Sequence, residues 1–278
     1  MQKIFLGPAG VPVVSKERST LGGLRTVSEL GLNAMEVEFV RGVKMNPELA
    51  EEVGVLAKEL KINLSVHSPY YINLCSKKKQ IIEASKRMII DSADRAERMD
   101  AGAVAIHTAY YSGLTPKQAF EMVEQGFEDI LDEMKVRGIK NVKLGAETMG
   151  RWSQFGSLEE TIELSKQLKQ AVIPFIDWSH LYVRGKGSID FGKIFDALKP
   201  LKLEHIYSHF QNVKKNKQGE WIDVHVPINS HPPFELLAKE VLKRKVDITN
   251  ITIISESPII EQDSLKMKKI LEKLSYKF

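Results

Sequence analysis

The sequence predicts a (β/α)8 TIM barrel, a parallel sheet closed on itself inside a ring of helices. Three observations predict it. Eight short runs rich in β-branched residues recur at roughly regular intervals along the 278 residues. The gaps between runs carry apolar residues at three- and four-residue spacing, the period of an amphipathic helix. No Pro/Ser-rich linker or low-complexity tract divides the chain, so residues 1–278 read as one α/β domain.

The runs are KIFLG (3–7), AMEVEFV (34–40), INLSVH (62–67), AVAIHT (103–108), VKLGAET (142–148), PFIDWS (174–179), HIYSHF (205–210) and ITIISES (251–257). Helical stretches follow them. TLGGLRTVSELG follows the first, NPELAEEVGVLAKEL the second and KKKQIIEASKRMIIDSADRAERM the third. Thr115-Pro116 with Gln118 supplies an N-cap, a proline at the first helical position and the far half of a capping box. Ser157 with Glu160 repeats the box ahead of LEETIELSKQLKQ. PPFELLAKEVLKRK and QDSLKMKKILEKL supply the last two helices. Residues 211–231 form the longest loop, between the seventh strand and its helix.

Composition narrows the class. At 43% hydrophobic and 27% charged, the chain reads as an ordinary soluble globular protein. No apolar stretch is long enough for a transmembrane helix, and MQKIFLGPAG lacks the features of a signal peptide. The single cysteine, Cys75, excludes an intramolecular disulfide; it reads as a packed thiol and fits a reducing cytoplasm. A net charge of +4 permits an anionic partner without demanding one.

Barrel enzymes carry their chemistry at the C-terminal ends of the strands. Here the third strand ends in His67 and the fourth in His107. The fifth ends near Glu147, the sixth near Asp177, the seventh near His209 and the eighth near Glu256. His180 follows Asp177, and the long loop adds Asp223-Val224-His225. A lone histidine there is more often a hydrogen-bonded rim residue than a ligand, and a lone carboxylate is more often a helix cap. Nine imidazoles and carboxylates aimed at one mouth are different, because desolvation and mutual repulsion would be costly without cations among them. Mixed His and carboxylate donors without cysteine suit Zn²⁺, Mn²⁺ or Fe²⁺. Nine donors exceed what one ion needs and suggest two or three, an arrangement suited to phosphoryl displacement.

These residues resemble the endonuclease IV (deoxyribonuclease IV) type of apurinic/apyrimidinic endonuclease, within the xylose isomerase-like barrels. The resemblance rests on HSPYYINL (67–74), His107, Glu147 in GAET, DWSH (177–180), SHF (208–210), DVH (223–225) and SES (255–257), and spans most of the chain. It implies a monomeric hydrolase of base excision repair that cuts the phosphodiester 5′ to an abasic site in duplex DNA, with two to three Zn²⁺ ions. It implies that Glu147 bridges the first two ions, completed by His67 and His107 on one side and by Asp177, His209 and Glu256 on the other. His180, Asp223 and His225 would hold the third. Glu147, Asp177 and Glu256 would be the catalytic carboxylates. The first two ions would activate water and the third would stabilise the leaving 3′-oxygen.

Tyr70 and Tyr71 stand where that family places residues that enter the duplex, and an aromatic wedge can compensate lost stacking. Rim packing explains two tyrosines equally well. Arg41, after the second strand, either reaches DNA or is one of the arginines common on surfaces, and Lys214, Lys215 and Lys217 either track phosphates or form a solvated basic loop. The chain departs from the family at Val224, in VPINSHPPF (226–234), in Gln211-Asn212 and at Trp178. These departures surround the third ion. The alternative is a sugar isomerase or epimerase of the xylose isomerase-like group, which needs only the Glu147, Asp177, His209, Glu256 quartet. His180, Asp223 and His225 discriminate the two.

Overall fold

The eight runs become eight parallel strands, numbered β1 to β8: Lys3–Pro8, Ala34–Glu38, Asn63–His67, Ala103–Ile106, Lys143–Glu147, Val172–Asp177, His205–Phe210 and Asn250–Ser255. The computed structural model describes residues 2–244 and 248–278. Strand order follows the chain around the barrel, with β1 beside β8. A parallel bridge between Ala9 and Glu36 joins β1 to β2. Helices alternate with the strands: α1 Thr20–Glu29, α2 Pro47–Leu60, α3 Lys79–Arg98, α4 Pro116–Val136, α5 Leu158–Gln167, α6 Trp178–Arg184, α7 Phe191–Leu198, α8 Phe234–Lys243 and α9 Glu261–Lys273. Both expected capping boxes form, with Gln118 N–H donating to Thr115 Oγ1 (3.3 Å) and Glu160 N–H to Ser157 Oγ (3.1 Å). The stretch expected to run to Lys245 ends at Lys243, and Lys245 lies outside the described residues. No helix among the described residues is long and apolar enough to cross a membrane.

Two expectations need correction. PFIDWS is not strand to its end: β6 stops at Asp177, and Trp178 and Ser179 open α6. The Asp177 carboxylate accepts from His180 N–H (2.6 Å), capping the helix and turning the chain there. Trp178 is buried against Phe191 and Phe195, so its bulk fills the layer between barrel and helices. The gap after β6 therefore holds two helices. The long segment 211–231 is not irregular throughout, because Asn212–Lys215 and Trp221–Val226 pair as an antiparallel ribbon.

Most apolar burial lies between the sheet and its helices. A second, smaller core fills the barrel interior with Ala103, Ala105, Ile173, Phe175 and Tyr207. Large residues on β6 and β7 face small ones on β4 and β5, the alternation that fills a barrel without voids. Gly145 shows how tight the fit is: a Cβ there would lie 2.7 Å from the Phe175 ring. Gly145→Ala should therefore cost about 1–3 kcal/mol by overpacking, measurable as a lowered denaturant midpoint with an unchanged slope. An unchanged midpoint would mean that Phe175 moves freely, against this packing. The interior core floors the mouth, so polar side chains one layer above it stand on a rigid base.

Candidate metal centre

Strand alternation decides which residues face the mouth. Glu38 pairs in register with His67 and Asp177 with His209, while Glu147 pairs with Phe175 of the interior core, so the polar groups of neighbouring strands stand directly at the edge of that core. Three sets of donor atoms lie within 4.8 Å of one another: His67, His107 and Glu147; Glu147, Asp177, His209 and Glu256; and His180, Asp223 and His225. Asp223 and His225 alternate on the ribbon strand with Val224, which is exposed, so the Val224 departure leaves the third set together.

Each set is oriented by its neighbours. His67 Nδ1 lies 2.7 Å from Ser68 O, His180 Nδ1 2.9 Å from Thr148 O and His225 Nδ1 3.1 Å from Glu256 O. A carbonyl only accepts, so each Nδ1 carries the hydrogen and each Nε2 lone pair faces the site. His67 Nε2 and His107 Nε2 lie 3.4 and 3.1 Å from Glu147 Oε2, and His180 Nε2 lies 3.1 Å from Asp223 Oδ1. His209 is reversed: Nε2 meets Glu36 Oε1 at 2.7 Å, and Nδ1 faces Glu147 Oε1 (3.4 Å) and Glu256 Oε2 (3.6 Å).

The donors fit cations. His67 Nε2 and Glu147 Oε2 are buried without a hydrogen-bond partner, and such groups are costly unless something occupies the space between them. Nitrogen and oxygen donors with no thiol match borderline or harder divalent ions. The electrostatics agree. Burial pushes the Glu147 carboxyl up, but the nearby His107 and His209 imidazoles pull harder and hold it well below the usual range. Burial pushes Asp177 up, and His180 only partly offsets it. Burial opposes charge on His67, yet the Glu147 carboxylate 3.4 Å away and the nearby Glu38 raise it to about 10. Without ions, protons on the imidazoles do the balancing.

Three residues of this layer, Glu36, Glu38 and Thr148, are not among the candidates read from the sequence, and Gln211 is there only as a departure from the family. Glu36 is fully buried and holds both His209 and the Ser65 hydroxyl (2.7 Å each). Glu38 has a buried oxygen without a partner, and burial pushes its carboxyl up to about 8. The available signal was two acids at alternate positions of AMEVEFV. Gln211 Nε2 donates to Asp177 Oδ2 (2.9 Å), and Thr148 Oγ1 accepts from Asp177 N–H (2.8 Å). Replacing Glu36 by Gln should weaken ion binding at the quartet about 10–100-fold, read by competition against a chelating indicator. Unchanged affinity would make Glu36 a packing residue only.

The expected DNA contacts divide. Tyr70 packs over His67 and His107, with ring centroids 4.8 and 5.4 Å away, and keeps 41% of its surface exposed. Tyr71 is 66% exposed. Arg41 stands exposed in the turn after β2, and Lys214 and Lys215 stand exposed on the ribbon. Asn212, one of the departures, ties the ribbon down: its Oδ1 accepts from Asn229 and Ser230 N–H, and its Nδ2 donates to Pro232 O. Cys75 is buried, and burial pushes its thiol up to about 11. His205 lies at the opposite end of the barrel, stacked on Phe5 and Tyr207 and bonded to Thr252.

The family described as xylose isomerase-like TIM barrel matches this sequence over residues 24–274. An uncharacterized protein of Methanocaldococcus jannaschii is 29% identical over 280 residues, covering 98% of each chain. A probable endonuclease 4 of Mycoplasmopsis synoviae is 28% identical over 204 residues, covering 72% of this chain and 70% of the relative. Among solved structures, endonuclease IV from Thermus thermophilus superposes with a TM-score of 0.72 at 18% identity, over 96% of this chain and 99% of that one. A D-tagatose 3-epimerase-like protein superposes with a TM-score of 0.71 at 20% identity, over 96% of both chains.

Proposed function

We propose a metal-dependent endonuclease from this premise: the chain belongs to the xylose isomerase-like TIM barrel family. The proposed reaction is hydrolysis of the phosphodiester 5′ to an abasic site in duplex DNA. One observation carries the reading. His180, Asp223 and His225 converge as a third donor set beside the quartet, which chemistry on a small sugar does not need. The relatives named endonuclease 4 point the same way.

In this reading His67, His107 and Glu147 would hold one ion, and Asp177, His209 and Glu256 would hold a second together with Glu147. His180, Asp223 and His225 hold a third. Zn²⁺ is the proposed metal, with Mn²⁺ or Fe²⁺ compatible with the same donors. Such ions supply an acidic water and positive charge against phosphoryl and leaving-group oxygens. The chain's own residues do the rest. Glu147, Asp177 and Glu256 would hold the cations that face the phosphate, whose charge the bare carboxylates alone would repel. A hydrogen bond from the Asp177 N–H to Thr148 Oγ1 and one from Gln211 Nε2 to its carboxylate hold Asp177 in place. Tyr70 and Tyr71 enter the duplex at the lesion, while Arg41, Lys214 and Lys215 neutralise phosphates.

A second reading is a sugar isomerase or epimerase that uses the quartet alone. Glu38 favours it, because a buried carboxyl with a free oxygen at the mouth is suited to moving a proton between carbons. One assay separates the two. Protein expressed with ample metal is expected to carry two to three transition-metal ions and to cut a labelled duplex once, 5′ to a stable abasic analogue, leaving an undamaged duplex intact. Fully metallated protein that makes no cut would overturn the nuclease reading and direct the search to ketose and aldose substrates.

A further inference from the structure

We propose that the cavity beside the third donor set is a strand-binding subsite, in which Trp152 stacks on a base while Lys186 and Lys215 neutralise phosphates flanking the cut. The proposal rests on the nuclease reading and extends it to a surface distant from the Tyr70–Tyr71 rim.

The cavity has a volume of about 830 Å³ and is lined by Arg151, Trp152, Lys186, Lys215, Trp221 and Asp223 among others. Because Asp223 belongs to the third donor set, the cavity opens directly beside the metal centre. Its walls come from the loop after β5, the end of α6 and the ribbon. Tyr70, Tyr71 and Arg41 follow β3 and β2, on another sector of the barrel rim. A strand crossing the mouth would therefore meet protein on both sides of the ions.

Trp152 is 66% exposed, an unusual position for an indole. It is nevertheless braced. The Arg184 guanidinium lies 5.0 Å from its ring centroid. Arg184 is itself fixed, with Nη1 donating to Met149 O, Arg151 O and Gln154 O at 3.1, 3.2 and 3.3 Å. A loop whose carbonyls clamp the arginine under an exposed ring has prepaid much of the ordering cost of stacking. The second aromatic wall, Trp221, is held edge-on by Tyr182, with centroids 5.0 Å apart, and Lys215 Nζ stands 5.1 Å above it.

The charges complement a polyanion. Arg151, Lys186 and Lys215 are all exposed. Glu220 is the opposing carboxylate, and it is engaged by Asn216 Nδ2 (3.0 Å) in the ribbon's own turn. Asp223 faces His180 and His225 and takes a weak contact from Arg151 Nε at 3.8 Å. Aromatic faces interleaved with cations along a groove form the pattern that holds unpaired or splayed nucleic-acid strands. An acidic peptide would satisfy the lysines but leave Trp152 without a partner of matching shape.

The test uses metal-replete full-length protein and duplexes with one stable abasic analogue, the flank being short or long on either side of it. Binding is followed by tryptophan emission and by affinity across a salt series, and incision is measured on the same duplexes. Wild type should gain affinity with the longer flank on one side only, with quenched emission. Trp152→Ala should lose about tenfold in affinity for that long-flank duplex and little for the short one, while Trp152→Phe keeps most of it. The Lys186→Glu/Lys215→Glu double variant should lower the salt slope by roughly two. Wild type that cuts, with the same flank dependence in Trp152→Ala, overturns the subsite and leaves the nuclease reading standing. Wild type that binds without cutting, and weakens in Trp152→Ala, sinks the nuclease reading and keeps the subsite. Wild type that neither binds nor cuts overturns both.

Discussion

Glu147→Gln is expected to leave at most one tightly held ion per chain and to reduce metal-dependent turnover by about 10³-fold or more. The reason is convergence. Glu147 is fully buried, with one oxygen 3.1 and 3.4 Å from the Nε2 atoms of His107 and His67. Its other oxygen lies 3.4 Å from the Nδ1 atoms of both His180 and His209. Glutamine keeps the shape but removes the charge on which four imidazoles are arranged. Its amide nitrogen also cannot ligate, and one of the ring nitrogens it could face, His67 Nε2, has no other hydrogen-bond partner. Elemental analysis after desalting gives the ion count directly. Retention of two or more ions with undiminished turnover would show that Glu147 is not shared between sites.

His180→Ala is expected to remove one ion, keep the other two and cut incision by about 10²–10³-fold. His180 is placed by three features, of which only the Asp177 cap ties it to the quartet; the Thr148 carbonyl and Asp223 lie outside it. Its loss should empty the third set with little effect on His67, His107 and Glu256. Asp223→Asn should repeat the result without opening a cavity in the rim, since Asp223 is only partly buried. The experiment also divides the two functional readings. A quartet-dependent sugar enzyme would keep its activity in both variants, whereas a nuclease that needs three ions would not. Undiminished incision in both variants would take the third set out of the mechanism.

Much of the site was legible in the sequence because strand ends are special in a barrel. His67, His107, Glu147, Asp177, His209 and Glu256 each close an apolar run, and apolar runs that end in ionisable groups announce the mouth. Asp223 and His225 were legible from the DVH spacing, although the two-residue period that makes them one face of a ribbon strand is too short to distinguish from loop in the sequence. Glu36 and Glu38 were missed for a different reason. Their run ends in Phe39 and Val40, so it reads as a core strand, and only the inward parity of alternate positions reveals two more carboxylates. The start of α6 was missed because Asp177 serves twice: the carboxylate that faces the donor set also caps a helix, and the cap ends the strand.

Sequence alone determined the barrel and pointed to nine candidate donor positions, six of them where an apolar run stops and three in the segments that follow. Tertiary structure decided the rest. Which nitrogen of His180 and of His225 faces the site depends on carbonyls contributed by other segments, Thr148 for the first and Glu256 for the second. That Glu36 holds His209 depends on two residues 173 positions apart in the chain meeting inside a closed barrel. The braced Trp152 beside Lys186 and Lys215 is assembled from three separate loops. Periodicity reports which face of an element is buried. It carries no information about which distant side chain meets that face, because that distance is set only when the barrel closes.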